Sequence, residues 1–176
     1  MLNELNMTPP RDFWGKILFG DFQPLYVSES HSAMEHILKF FPSGCEVTLL
    51  DAHHDCGYGQ DSEATCGNWA ARSLKSKKVS KLHLYYPEWR RTCPEPSHET
   101  HPTSVNYGLP PQPTLYDVVH MCRSGAWTPP WFDSKLRKLI KESKLKVQYI
   151  DDYITKKRSP ATIEEAKAIA SSAANP

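Results

Sequence analysis

"PLYVSESHSAMEHILKFFPSGCEVTLLDAHHD", residues 24–55, decides the fold. It opens with PLYVSE at 24–29 and closes on EVTLLD at 46–51, two short apolar and β-branched runs that each read as a buried strand. Between them Met34, Ile37, Leu38 and Phe41 recur at i, i+3, i+4 and i+7, which draws one apolar stripe along a helix. Ser32 followed by Glu35 spells a capping box at its start, and PSG at 42–44 stops it. The unit is strand, helix, strand.

The same alternation continues outward. KLHLYY at 81–86, YDVVHM at 116–121 and KVQYID at 146–151 read as further strands. A second helix is expected to start near Asn68 in GNWAARSLKSK, and a third in DSKLRKLIKESK, with Asp133 as N-cap and Leu136, Leu139 and Ile140 facing inward. Strands alternating with helices predict an α/β fold, an open and mainly parallel sheet flanked by helices. At 176 residues the chain suits one domain. Two segments stand apart: the Pro-rich stretch 93–114, either an ordered functional loop or a mobile one, and the tail 160–176, an Ala-rich helix capped by Thr162 with Glu165.

Composition narrows the function classes. Lys and Arg total 21 against 20 for Asp and Glu, so the net charge of +1 supplies no field favouring nucleic acid or an anionic membrane. No run approaches the roughly 20 apolar residues that span a bilayer, and a cytoplasmic protein with a small-molecule substrate is the expectation; homo-oligomerisation is left open. Five cysteines at irregular spacing, with no CxxC pair, argue for reduced thiols. Cys93, His98 and His101 have spacings zinc accepts but lack a fourth ligand, so a polar loop is the preferred reading.

The chemistry gathers where the strand 46–51 ends. On an extended backbone Asp51, His53 and Asp55 project to one side and His54 to the other. Two carboxylates held so close raise one another's pKa unless they share a cation, and a divalent metal removes the conflict. Oxygen and nitrogen donors without an obligatory thiolate suit manganese, iron or zinc. Open α/β sheets bind ligands at the carboxyl ends of their strands, where Asp51 lies. His31, closing LYVSESH, reaches the same site if the two strands are parallel neighbours. A polar turn with Asp51 capping backbone amides is the competing reading.

SESHS at 28–32, DAHHD at 51–55 and GN at 67–68 follow one another in the order found in the arginase–deacetylase superfamily, and the region 24–90 resembles its small arginase-like members. The resemblance implies a compact three-layer sandwich. It implies hydrolysis of a C–N bond in a guanidino, amide or acetylated amine substrate, with one or two Mn2+ or Zn2+ ions. By match to the motif His31, Asp51, His53 and Asp55 resemble metal ligands and Asn68 a substrate contact. His54 or Asp55 would manage protons as the catalytic groups. The family's later DxD pair has no clean counterpart: Asp151 and Asp152 are adjacent, so at most one enters the site. Mononuclear, binuclear and degenerate centres all remain open. Arg123 and Trp127, in RSGAWTPPWFD at 123–133, are further candidate substrate contacts, with Trp131 a second wall or plain packing mass. Arg90 and Arg91 read as solvated charge or as an anion contact. Two alternatives stand beside this: a metallophosphoesterase-like hydrolase, which also uses DxH and GN, and a non-catalytic metal-binding module.

Overall fold

Leu25 and Val27, two residues apart on one face of a strand, are both fully buried in one core. The computed structural model describes residues 12–20, 23–57, 62–124, 128 and 132–151. Its elements run in the order α1 (Phe13–Lys16), β1 (Ile17–Phe19), β2 (Leu25–Ser28), α2 (Ala33–Leu38), β3 (Cys45–Leu50), α3 (Trp69–Lys75), β4 (Val79–Tyr86), a 3-10 turn (Glu88–Arg91), β5 (Ser104–Tyr107), β6 (Thr114–Tyr116), β7 (Val119–Cys122), α4 (Asp133–Glu142) and β8 (Val147–Tyr149). Every strand pairing among the described residues is parallel, so the chain is an α/β protein with open parallel sheets. No helix among the described residues is long and apolar enough to cross a membrane.

The chain divides into two compact units, residues 1–29 with 112–176, and residues 30–111. In the first, β2 lies between β7 and β8, and β1 pairs with β6. Its core is Leu25, Val27, Met121 and Ile140, with Leu136 and Leu139 of α4 packed against it, as the helical stripe predicts. In the second, β4 lies between β3 and β5. Leu38, Val47, Leu49, Trp69, Leu82 and Leu84 form its centre, with Met34 packed on the rim.

Several local expectations are replaced. Strand β2 pairs with β7 and β8 rather than with β3, so His31 is not delivered by a parallel neighbour of Asp51. The Ser32–Glu35 capping box does not form. Ser30 O already accepts from the Ala33 amide, Ser32 Oγ lies 2.8 Å from Ser30 Oγ, and Glu35 pairs with Arg72 Nε at 2.9 Å. Asp133 is the first residue of α4, after Phe132 at the cap, and its carboxylate accepts from Arg123 Nη1 at 3.0 Å. The 93–114 stretch contains β5, which escapes a reading by runs because four residues between prolines are too few to show a period; it pairs with β4 from His83↔Ser104 to Tyr86↔Tyr107. The tail helix with Thr162 and Glu165 lies outside the described residues.

Candidate metal centre

The ladder of β3 ends where the Asp51 amide donates to Tyr85 O at 3.2 Å. Beyond it the backbone bends, and Asp55 sits in the left-handed region at φ +52°, which Asp tolerates better than most residues. The simple alternation of an extended strand therefore does not apply. Asp51 and Asp55 still converge, because the loop folds back toward α3, whose first turn donates Ala70 N to Asp55 O at 3.2 Å. Trp69 Nε1 donates to Asp55 Oδ2 at 2.7 Å.

His31 meets them from the turn ahead of α2. Its Nδ1 lies 2.9 Å from Asp51 Oδ2 and 2.9 Å from Asp55 Oδ2, so one imidazole nitrogen faces both carboxylates. Donor atoms of these three residues all lie within 4.8 Å of one another. Ligands about 2.0–2.2 Å from a common ion cannot be more than roughly 4.4 Å apart, so small shifts bring this set into range. One nitrogen and two carboxylate oxygens also make the donor chemistry that Mn2+ and Zn2+ accept. The residues fit such an ion. His53, expected as a fourth ligand, stands further out: its Nδ1 is 3.9 Å from Asp51 Oδ1 and it is outside the converging group.

The surroundings shift the two carboxyl groups in opposite directions. Burial pushes Asp51 up, but the charge and hydrogen bond of His31, helped by His53 and the Ala52 amide, outweigh it and hold the group below its ordinary value. Asp55 lies above its ordinary value. Its burial comes first and the negative charge of Asp51 adds to it, against the hydrogen bonds of His31 and Trp69.

Other expected site residues take different work. His54 has both ring nitrogens engaged: Nδ1 accepts from Cys56 N at 2.9 Å, so Nε2 carries the proton and donates to Pro96 O at 3.0 Å. Those two bonds build the imidazole into the loop's own scaffold. Asn68 is 2% exposed; its Oδ1 accepts from Thr65 N at 2.7 Å and its Nδ2 donates to Glu63 O at 3.0 Å, which ties off the turn before α3. Asp151 belongs to the first unit, where its Oδ2 accepts from Glu29 N at 2.6 Å. Arg123 lies there too, buried and paired with Glu29 and with Asp133 Oδ2 at 3.0 Å. Trp127, Trp131 and Asp152 lie outside the described residues. Arg90 is buried, stacked on Trp89, and donates from Nε to Ala52 O at 2.7 Å, so it serves the loop and not an external anion.

Sequence reasoning missed Trp69 and Glu95. Glu95 Oε2 accepts from His54 N at 2.8 Å and from Tyr86 OH at 2.5 Å. The signal for Trp69 was its place directly after GN at the head of a helix. Nothing local marked Glu95, 40 residues from Asp55 in a Pro-rich stretch. Of the Cys93, His98 and His101 trio, Cys93 is exposed, and His98 packs edge-on against His54 with ring centroids 5.0 Å apart. A Cβ on Gly57 would fall 2.4 Å from His98 Cγ, so only glycine admits that ring. Compared with known proteins, the chain matches no family model, no curated protein and no solved structure.

Proposed function

We propose that this chain is a metal-dependent hydrolase of the arginase–deacetylase type, a compact three-layer α/β sandwich acting on a C–N bond of a small guanidino, amide or acetylated amine substrate. The observation that carries the reading is the convergence of His31, Asp51 and Asp55, supplied by two separate motifs, on one set of donor atoms. These three residues would hold the ion, Mn2+ or Zn2+, with His53 at its margin. When bound, such an ion supplies Lewis acidity, which polarises a carbonyl or guanidino carbon and makes water a nucleophile at neutral pH. The chain's own part is to fix the donors: Trp69 anchors Asp55, and of the two carboxyls Asp55 holds a proton more readily.

A second reading, a single bound ion without catalysis, draws on Asp151 and Asn68. Both have their side-chain groups engaged with backbone partners rather than offered to a second ion or a substrate. Metal analysis of protein purified without chelator, beside Asp51→Asn and His31→Ala, separates the possibilities. Stoichiometric Mn2+ or Zn2+ that both variants lose is the expected result. Urea release from guanidino compounds or deacetylation of acetylated amines then supports the hydrolase, metal without either supports the single-ion module, and phosphodiester cleavage alone points to a phosphoesterase. Native protein free of metal, unable to take it up, sinks the proposal.

A further inference from the structure

Between Asp51 and Asp55 the backbone has left the sheet, yet the residues from 86 to 96 meet it at three points. Arg90 Nε donates to Ala52 O at 2.7 Å, Glu95 Oε2 accepts from His54 N at 2.8 Å, and His54 Nε2 donates to Pro96 O at 3.0 Å. We infer that Glu95 is a positioning residue for the His31–Asp51–Asp55 centre, presetting the separation of the two carboxylates by clamping the backbone between them. The inference rests on the metal reading above.

The clamp is built at sites where it is costly to build. The Glu95 side chain is 2% exposed, and a buried carboxylate is unfavourable unless its oxygens are met by donors. Its Oε2 receives two, the second from Tyr86 OH at 2.5 Å at the carboxyl end of β4. The loop is therefore referred to the sheet itself, since β3 and β4 are paired in register from Glu46↔Lys81 to Leu50↔Tyr85. Arg90 holds residue 52 and Glu95 holds residue 54, one on each side of His53. Asp55 then follows in its left-handed conformation, which persists only where neighbours over-determine it. Groups that orient ligands from behind commonly change metal affinity 10–100-fold when removed. Glu95 acts on the ligand loop through its backbone, so its effect is expected near the lower end of that range.

The test is calorimetric titration of chelator-treated, dialysed full-length protein with Mn2+ and, separately, Zn2+. Native protein, Glu95→Ala, Glu95→Gln and Asp51→Asn are compared, with far-UV circular dichroism confirming that each metal-free variant is folded. Glu95→Ala is expected to weaken binding by roughly tenfold. Glu95→Gln is expected to recover most of it, because an amide oxygen can accept from both His54 N and Tyr86 OH. A purely structural role would lower the melting temperature of the metal-free protein and leave the affinity of the folded form unchanged. If the alanine variant does not fold, Arg90→Gln carries the test: its shorter side chain cannot span to Ala52 O, and a similar loss of affinity is expected. Asp51→Asn abolishing binding while the clamp variant stays within twofold of native overturns this inference alone. Native protein that binds neither ion, or Asp51→Asn that binds like native, overturns the metal reading and the inference with it.

Discussion

Replacing Trp69 by Phe probes the contact that ties helix α3 to the candidate centre. Trp69 is 1% exposed, and its indole N–H donates to Asp55 Oδ2 at 2.7 Å. A hydrogen bond to a charged acceptor contributes about 1.5–3 kcal/mol. Trimming the buried indole to a phenyl ring costs a further ~1–2 kcal/mol in lost packing. Trp69→Phe should therefore destabilise the metal-free protein by about 2.5–5 kcal/mol, summing those two contributions. A double-mutant cycle with Asp55→Ala isolates the bond, since the packing loss and the left-handed backbone at residue 55 each appear on both sides of the cycle. Urea unfolding followed by far-UV circular dichroism, in the presence of chelator, measures all four proteins. A coupling of about 1.5–3 kcal/mol is expected. Costs that simply add, to within about 0.5 kcal/mol, would refute the claim that the indole anchors Asp55.

The thiol of Cys56 is pushed up to about 12 by burial, with the charges of Asp55 and Glu95 adding to it. Ellman's reagent at pH 8 should therefore label exposed Cys93 in the folded protein and leave Cys56 unmodified until urea is added. The unfolded thiol ionises near its ordinary value of 9.0 and the folded one near 12, so this group's contribution is complete below pH 9 and is lost as pH rises toward 12. The urea midpoint of the native protein should accordingly fall toward that of Cys56→Ala over that interval, and a constant gap would contradict it. Arg123→Met leaves the half-buried carboxylate of Glu29 and the buried one of Asp133 without this cation and should destabilise by about 3–5 kcal/mol. Adding Asp133→Asn should restore part of that loss, and strictly additive urea midpoints would show that the three groups do not act together.

Much of the architecture was legible because it follows from local pattern. The runs at 24–29, 46–51, 81–86, 116–121 and 146–151 are apolar enough to be strands in any α/β arrangement, and each overlaps one. Leu136, Leu139 and Ile140 keep a helical period that only α4 explains. The strands β1, β5 and β6 were not legible, since three or four residues carry no measurable period and owe their pairing to neighbours far along the chain.

The candidate centre divides in the same way. Residue types and their order in SESHS and DAHHD were sufficient to gather His31, Asp51, His53, His54 and Asp55 as candidates, because carboxylates and imidazoles crowded at a strand end are costly unless they meet one another or an ion. Which members converge was decided by tertiary structure. His53 was left outside the group, 3.9 Å from Asp51 Oδ1, and the amide, carboxylate and carbonyl groups of residues 52–56 and 95–96 enclosed His54. Arg90, Glu95 and Trp69 joined the site through hydrogen bonds spanning 14 to 41 residues. A sequence fixes which groups must find partners; only the folded chain brings those partners within the 3 Å at which a hydrogen bond forms.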